Sequence, residues 1–198
     1  MKFYYTLKSG QTIEMLIPEQ VYYPREDSIF FANLIQNYLY ASHAKSILDM
    51  GTGSGFLAIV CALSSPASVT AVDKDRISIE CARDNIESLG LGKKINIVQS
   101  DLFNNINERF DLIIFNPPYL PEADENKYLS KQEKSQLSDR DVIKKFLKFA
   151  KNYLTKNGRI VILFSSATKI KFSGYDVKTL VKKKLEWEEL VIYELRPK

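Results

Sequence analysis

Residues 110–121 read Phe-Asp-Leu-Ile-Ile-Phe-Asn-Pro-Pro-Tyr-Leu-Pro. Asp111 to Phe115 is dominated by branched and aromatic apolar side chains, which predicts a strand buried on both faces, because a covered parallel strand needs no polar alternation. It ends on Asn116, Pro117, Pro118 and Tyr119. Proline cannot donate to a β-ladder and disfavours helix in the residue before it, so the chain must leave the sheet here in a stiff, extended turn. An amide, bare carbonyls and an aromatic ring are thus set at the carboxyl edge of a buried strand, where open α/β sheets bind ligands.

Upstream, Ser46 to Met50 reads as a short strand and Phe56 to about Leu63 as a helix, joined by Gly51, Thr52, Gly53, Ser54 and Gly55. Strand, glycine turn and helix make a loop whose missing Cβ atoms let a phosphate or cofactor approach the backbone. A dinucleotide fingerprint would place its third glycine one residue later, where Phe56 stands, and the Gly-Lys-Ser/Thr of a P-loop is absent. What remains is an acid and three alternating glycines: Asp49, Gly51, Gly53 and Gly55.

The next two predicted strands also end in acids. Ser68 to Val72 runs into Asp73, about 20 residues past the glycine loop, where an acidic residue can hold a ribose diol. Ile95 to Gln99 runs into Ser100, Asp101, Leu102 and Phe103. Asp75 reads as the cap of a helix carrying Ile77, Ile79, Ala82, Ile86 and Leu89 and stopped by Gly90.

Outward from this centre, residues 3 to 17 predict a hairpin turning at Gly10. A helix follows from Asp27, with Ile29, Phe30, Leu34, Ile35, Tyr38 and Leu39 on one stripe and Asp27 or Ser28 as cap. Capping does not account for the polarity of all of Tyr23 to Ser28. Beyond Tyr119, the polar stretch Glu122 to Ser138 predicts a long loop or lid. A lysine-faced helix starts at Asp139 or Asp141 and ends at Asn157 and Gly158. Ile160 to Phe164 forms another buried strand, 174–185 a helix, and Glu188 to Leu195 one closing strand with Trp187 at its start.

Alternating strands and helices predict a mostly parallel, three-layer α/β domain. The 198 residues, 45% hydrophobic and 26% charged, suffice for one domain with a sizeable core. We expect residues 1–25 to be an N-terminal β cap and 26–198 the catalytic core. No apolar run reaches membrane-spanning length and the first ten residues lack a signal-peptide core, so the expected compartment is the cytoplasm. Cys61 and Cys81 without CxxC spacing, and His43 as the single histidine, predict buried thiols and no metal site. The net charge of +4 is uneven: residues 1–100 hold 9 basic and 10 acidic side chains, the rest 19 and 14. A basic second half suits nucleic acid or an acidic partner; solvated lysines on amphipathic elements are the plainer explanation.

With these residues in place, the chain resembles the class I S-adenosylmethionine-dependent methyltransferases of Rossmann-like fold. Within them it is similar to the HemK group, which methylates the glutamine of the Gly-Gly-Gln loop in translation release factors. The resemblance is carried by Tyr23, Pro24, Glu26, Asp27 and Ser28, by Leu48, Asp49, Gly51, Gly53 and Gly55, by Asp101-Leu102-Phe103, and by Asn116 to Tyr119 with Pro121. It implies a cofactor site of Glu26, Asp27, Ser28, Asp49, Gly51, Thr52, Gly53, Gly55, Asp73, Asp101, Leu102 and Asn116. Asp73 would hold the ribose, Asp101 the adenine amine and the glycine loop the methionine half. Asn116, Pro117 and Tyr119 would be catalytic, with Asn116, Pro117, Pro118 and Tyr119 gripping the acceptor. Lacking the separate N-terminal helical domain of the bacterial members, the chain looks closer to the short archaeal and eukaryotic branch, and the resemblance implies a small zinc-binding activator protein, with which that branch typically works. It departs from the family in having no glycine in the segment after Asn-Pro-Pro-Tyr, residues 126–141, and in offering one closing strand in place of a hairpin. Asn-Pro-Pro-Tyr alone would also fit enzymes that methylate exocyclic amines of adenine or cytosine in RNA or DNA; a non-catalytic cofactor- or partner-binding module is the further alternative.

Overall fold

The structure is a computed structural model and describes residues 1–117, 131–165, 170–186 and 188–198, with the side chains of 131–140 excepted. Its centre is a seven-stranded sheet built from β3 (Ser46–Met50), β4 (Ser68–Asp73), β5 (Ile95–Gln99), β6 (Phe110–Phe115), β7 (Leu154–Ser165), β8 (Tyr175–Lys184) and β9 (Glu189–Pro197). The strand order is β5-β4-β3-β6-β7-β9-β8. β5 through β7 are parallel, while β9 runs antiparallel to both β7 and β8.

Side-chain alternation along the central strands feeds two separate cores. From β6, Leu112 and Ile114 join one face, and Ile113 and Phe115 the other. The first face is covered by α1 (Glu26–Ser42), α2 (Phe56–Ser64) and α3 (Arg76–Ser88), the second by α4 (Lys131–Ala150). Each fully buried Ile or Leu there contributes about 1.5–3 kcal/mol by leaving water. The hairpin of β1 (Lys2–Thr6) and β2 (Thr12–Leu16) caps the first face. Phe3 and Tyr5 meet Phe56 edge-on at 5.1 and 5.0 Å, and the Tyr5 hydroxyl donates to Asn33 Oδ1 at 2.8 Å.

The topology fixes where a ligand can sit. From β3 the chain steps outward to β4 and β5, then crosses back to place β6 on the other side of β3. That reversal opens a crevice beyond the carboxyl ends of β3 and β6. The glycine loop follows β3 and Asn116 follows β6, so both open into it.

Several sequence expectations are corrected. α1 buries Phe31, Ala32, Ile35, Gln36 and Leu39, whereas Ile29 is exposed; the hairpin supplies polar partners for Gln36, which rotates the buried stripe. Neither Asp27 nor Ser28 caps this helix: Arg25 occupies the cap position with no side-chain bond, because both side chains are engaged elsewhere. α4 begins at Lys131, not at 139 or 141, so the predicted loop is shortened; 118–130 and Trp187 lie outside the described residues. Asn157 and Gly158 lie within β7, at the register shift opposite Phe110, not at a helix end. A Cβ on Gly158 would lie 2.7 Å from the Phe110 carbonyl oxygen, so this irregular stretch admits no side chain.

The segment 174–185, expected as a helix, contains strand β8 (Tyr175–Lys184). Together β8 and β9 supply the closing hairpin that the sequence seemed to lack. Val177, Thr179 and Val181 favour the extended chain, and lysines along an edge strand guard it against pairing with other chains. By contrast Asp75 caps α3 as expected, accepting from the Ser78 amide at 2.8 Å, which holds its carboxyl below the usual range. Cys61 and Cys81 are buried free thiols.

Candidate active site

The crevice is a cleft of about 620 Å³, within the range that small ligands occupy. Its glycine wall is tied together internally. The Thr52 amide donates to the Val72 carbonyl at 2.8 Å, the Gly55 amide to the Thr52 carbonyl at 2.9 Å, and the Gly53 amide to Asp73 Oδ2 at 2.9 Å. Gly53 has φ +55° with nothing within 4 Å of a would-be Cβ, so the backbone faces open space in a conformation that L side chains avoid. Gly55 serves differently. It is the N-cap of α2 at φ +85°, a Cβ there would press on Ala82 at 3.2 Å, and it does not line the cleft. Its glycine is required for packing α2 on α3.

Asp49, read from sequence as part of the ligand site, lies beneath the loop with 1% exposure and does not line the cleft. It accepts the Thr52 hydroxyl at 2.6 Å through Oδ2, while Oδ1 has no partner among the described residues. Burial pushes its pKa up to about 7 against the lowering effect of the Thr52 bond. Asp49 therefore braces the loop from below.

At the tip of β4, Asp73 accepts the Gly53 amide through one oxygen and the Asp75 amide, at 3.0 Å, through the other. This fixes its carboxylate at the cleft wall. Ser100, Asp101 and Leu102 line the adjoining end, Leu102 with φ +52°, and Asp101 faces Lys145 at 3.2 Å.

The opposite end is assembled from segments distant in sequence. Asn116 donates through Nδ2 to Asp27 Oδ2 at 2.8 Å and to Ser28 Oγ at 3.3 Å. An ionised carboxylate only accepts, so this contact sets the amide's orientation: its NH2 faces Asp27. Asn116 Oδ1 is buried and has no partner among the described residues. The Tyr22 hydroxyl donates to the other Asp27 oxygen at 2.8 Å, and burial followed by the Asp27 charge raises its pKa well above the ordinary tyrosine value. Glu26 lines the rim and pairs with Lys183 of β8 at 2.6 Å. Pro117 is buried against the same cleft; Pro118, Tyr119 and Pro121 lie outside the described residues.

Sequence reasoning missed Tyr22 and Glu188, both of which line the cleft. Tyr22 was readable in principle, next to the singled-out polar segment; Glu188 sits in an acidic turn that nothing in its spacing distinguishes. Among the described lining residues five are carboxylates, Glu26, Asp27, Asp73, Asp101 and Glu188, and two are basic, Arg25 and Lys74. Met50, Phe56, Leu57, Leu102, Phe115 and Val142 give apolar walls. An apolar slot with an acidic lining, an amide-walled glycine turn and unpartnered acceptors at Asn116 Oδ1 and Glu188 Oε2 suits a cationic nucleoside ligand that reacts with an N–H group.

These features define a methyltransferase of the doubly wound α/β class that uses S-adenosylmethionine. The chain belongs to the methyltransferase small domain family, whose sequence profile matches residues 28–185. It is 32% identical over 190 residues to a protein of Methanocaldococcus jannaschii provisionally named protein N5-glutamine methyltransferase, covering 91% of this chain and 93% of the relative. It is 31% identical over 159 residues to the release factor glutamine methyltransferase of Streptococcus pneumoniae, covering 76% of this chain and 56% of that relative's length. Among solved structures, the Thermus thermophilus 16S rRNA N2 G1207 methyltransferase in complex with AdoMet and guanosine shares the fold with TM-score 0.74 and 20% identity, over 99% of this chain and 50% of that one. No helix among the described residues is long and apolar enough to cross a membrane.

Proposed function

We propose that the protein methylates the side-chain amide nitrogen of the glutamine in the Gly-Gly-Gln loop of a cytoplasmic translation release factor. One observation carries this: the buried Asn116 Oδ1, left without a partner, on an amide whose other end is locked by Asp27. An orphan acceptor at a fixed place is matched by an N–H of the acceptor group.

A primary amide nitrogen is a poor nucleophile because its lone pair is delocalised into the carbonyl. Asn116 Oδ1 accepts one of its N–H groups and the Pro117 carbonyl the other, which holds the nitrogen and favours the positive charge that develops on it. Asp73 holds the cofactor's ribose, Asp101 and Leu102 its adenine end, and Gly51 to Gly53 with Asp27 and Ser28 its methionine half. When bound, S-adenosylmethionine supplies an electrophilic methyl group on a cationic sulfur. The residues here position and desolvate, and no histidine base is needed.

The acidic lining favours a neutral peptide over a polyanion as acceptor. Lys182 and Lys183, the core of the basic surplus on β8, already pair with Glu189 and Glu26 at 2.8 and 2.6 Å. The test is transfer of labelled methyl to a release-factor fragment bearing the Gly-Gly-Gln loop, with total RNA and DNA as parallel acceptors, each with and without a small zinc-binding activator protein. Label on the protein, lost when the glutamine is replaced by alanine, is the expected result; label confined to nucleic acid would overturn the proposal.

A further inference from the structure

The turn between β8 and β9 carries Glu188 into the cleft alongside Leu185 and Leu190. The Leu185 amide donates to the Glu188 carbonyl at 2.7 Å, so the backbone of this turn is held without help from the Glu188 side chain. Glu188 Oε2 is nevertheless buried, and it has no hydrogen-bond partner among the described residues. Two of the neighbouring lysines are taken: Lys182 pairs with Glu189 and Lys183 with Glu26. A buried carboxylate oxygen left unpaired opposes folding, so its place at the cleft asks for a ligand that brings a donor.

Strand register says which part of a ligand it meets. Phe115 of β6 is level with Ile162 of β7, and Leu190 of β9 is opposite Ser165 near the end of β7. Asn116 and Glu188 therefore emerge on the same edge of the sheet, two strands or about 10 Å apart across it, with Glu188 standing several residues further along the strand direction. They are too far apart to grip one amide group. The spacing suits a peptide held at two points, the methylated side chain on Asn116 and the backbone beside it near Glu188. A carboxylate accepts and never donates, and it repels phosphate, so the fitting partner is a peptide N–H.

We propose that Glu188 accepts a backbone N–H of the acceptor peptide beside the methylated glutamine, making it a specificity determinant that selects a peptide over a nucleic acid. This rests on the glutamine proposal above. The experiment measures steady-state transfer by wild type, E188A and E188Q to the release-factor fragment, and to synthetic Gly-Gly-Gln peptides in which one backbone N–H at a time is replaced by N-methyl. E188A should raise KM for the fragment by about tenfold or more, the usual scale for a lost charge-assisted hydrogen bond. Its kcat and cofactor affinity should stay near wild type, and E188Q, which keeps an acceptor, should recover part of the loss. One N-methylated peptide should be penalised by a similar factor with wild type and not with E188A. Thermal stability of E188A should equal or exceed that of wild type, since an unpaired buried acceptor is removed.

A KM for E188A within twofold of wild type, or penalties that multiply independently for every peptide, overturns the proposal while leaving glutamine transfer standing. A lowered melting temperature with a matching fall in kcat assigns Glu188 a structural role and overturns it too. No transfer to the fragment by wild type overturns the glutamine proposal, and this one with it.

Discussion

In the glycine loop, the amides of Thr52, Gly53 and Gly55 all find acceptors within the chain, and both Asp73 oxygens are already used by backbone donors. Across the same cleft, Asn116 and Glu188 each keep a buried oxygen with no partner among the described residues. On the cofactor wall the groups named above are thus engaged before anything binds, and the unpartnered oxygen on that side, Asp49 Oδ1, lies beneath the loop and away from the cleft, whereas the acceptor wall is finished only by its ligand. A satisfied network is rigid and tolerant of what fills it. An unsatisfied one costs stability and in return discriminates, because the wrong ligand leaves a polar group stranded.

The largest break in this contrast is expected from Asn116→Ala. Removing the orphan acceptor should lower kcat about 10²–10³-fold, the scale seen when one positioned charge-stabilising group is lost. Cofactor affinity, read by calorimetric titration, should change little; a large loss there would merge the two walls into one. Asp27→Asn should be milder. An amide at 27 can both accept and donate, so Asn116 is no longer forced to aim Oδ1 away from it. We expect kcat to fall about tenfold, the value of one charge-assisted bond, in single-turnover rates.

Asp49 sharpens the cofactor side. Its folded pKa of about 7 lies above the usual carboxyl value of 3.8, so the folded state keeps a proton that the unfolded chain has lost. The stability that Asp49 contributes should therefore be fully present below the unfolded value and be lost as pH rises from it to about 7, by up to about 1.4 kcal/mol per pH unit between the two pKa values. Asp49→Asn should flatten that slope in melting curves taken from pH 5 to 8, with shifts of about 2–4 °C per kcal/mol. The smallest effect belongs to Lys183→Gln. The Lys183–Glu26 pair is 37% and 61% exposed, so its loss should cost under about 1 kcal/mol in denaturant unfolding and leave peptide transfer near wild type.

The sheet was readable where burial on both faces left unbroken apolar runs, as in Ile113 to Phe115, and where short-range chemistry punctuates them, as at Asp75 and Gly90. Asp73, Asp101 and Asn116 were readable for the same reason, since each sits at a strand tip or within two residues of one. β8 was not. Its one-sided cover against β9 leaves lysines along much of its length, so the period-2 signal of a half-buried strand is lost, and the pairing that decides its conformation comes from residues that follow it in the chain. The glycine motif likewise looked uniform, yet Gly53 faces the cleft and Gly55 meets Ala82, a difference set by a helix 20 to 30 residues downstream. Glu188 depends on which lysines its neighbours capture, which only three-dimensional placement decides.

The position of β9 between β7 and β8 also has a bearing on synthesis. The strand that fills the gap is made after both of its neighbours, so β8 leaves the ribosome with neither edge paired and must wait for the residues that follow. A hydrophobic strand in that position would invite association between nascent chains. The lysines at 178, 182, 183 and 184 give the waiting segment charge and solubility until β9 arrives to seat it.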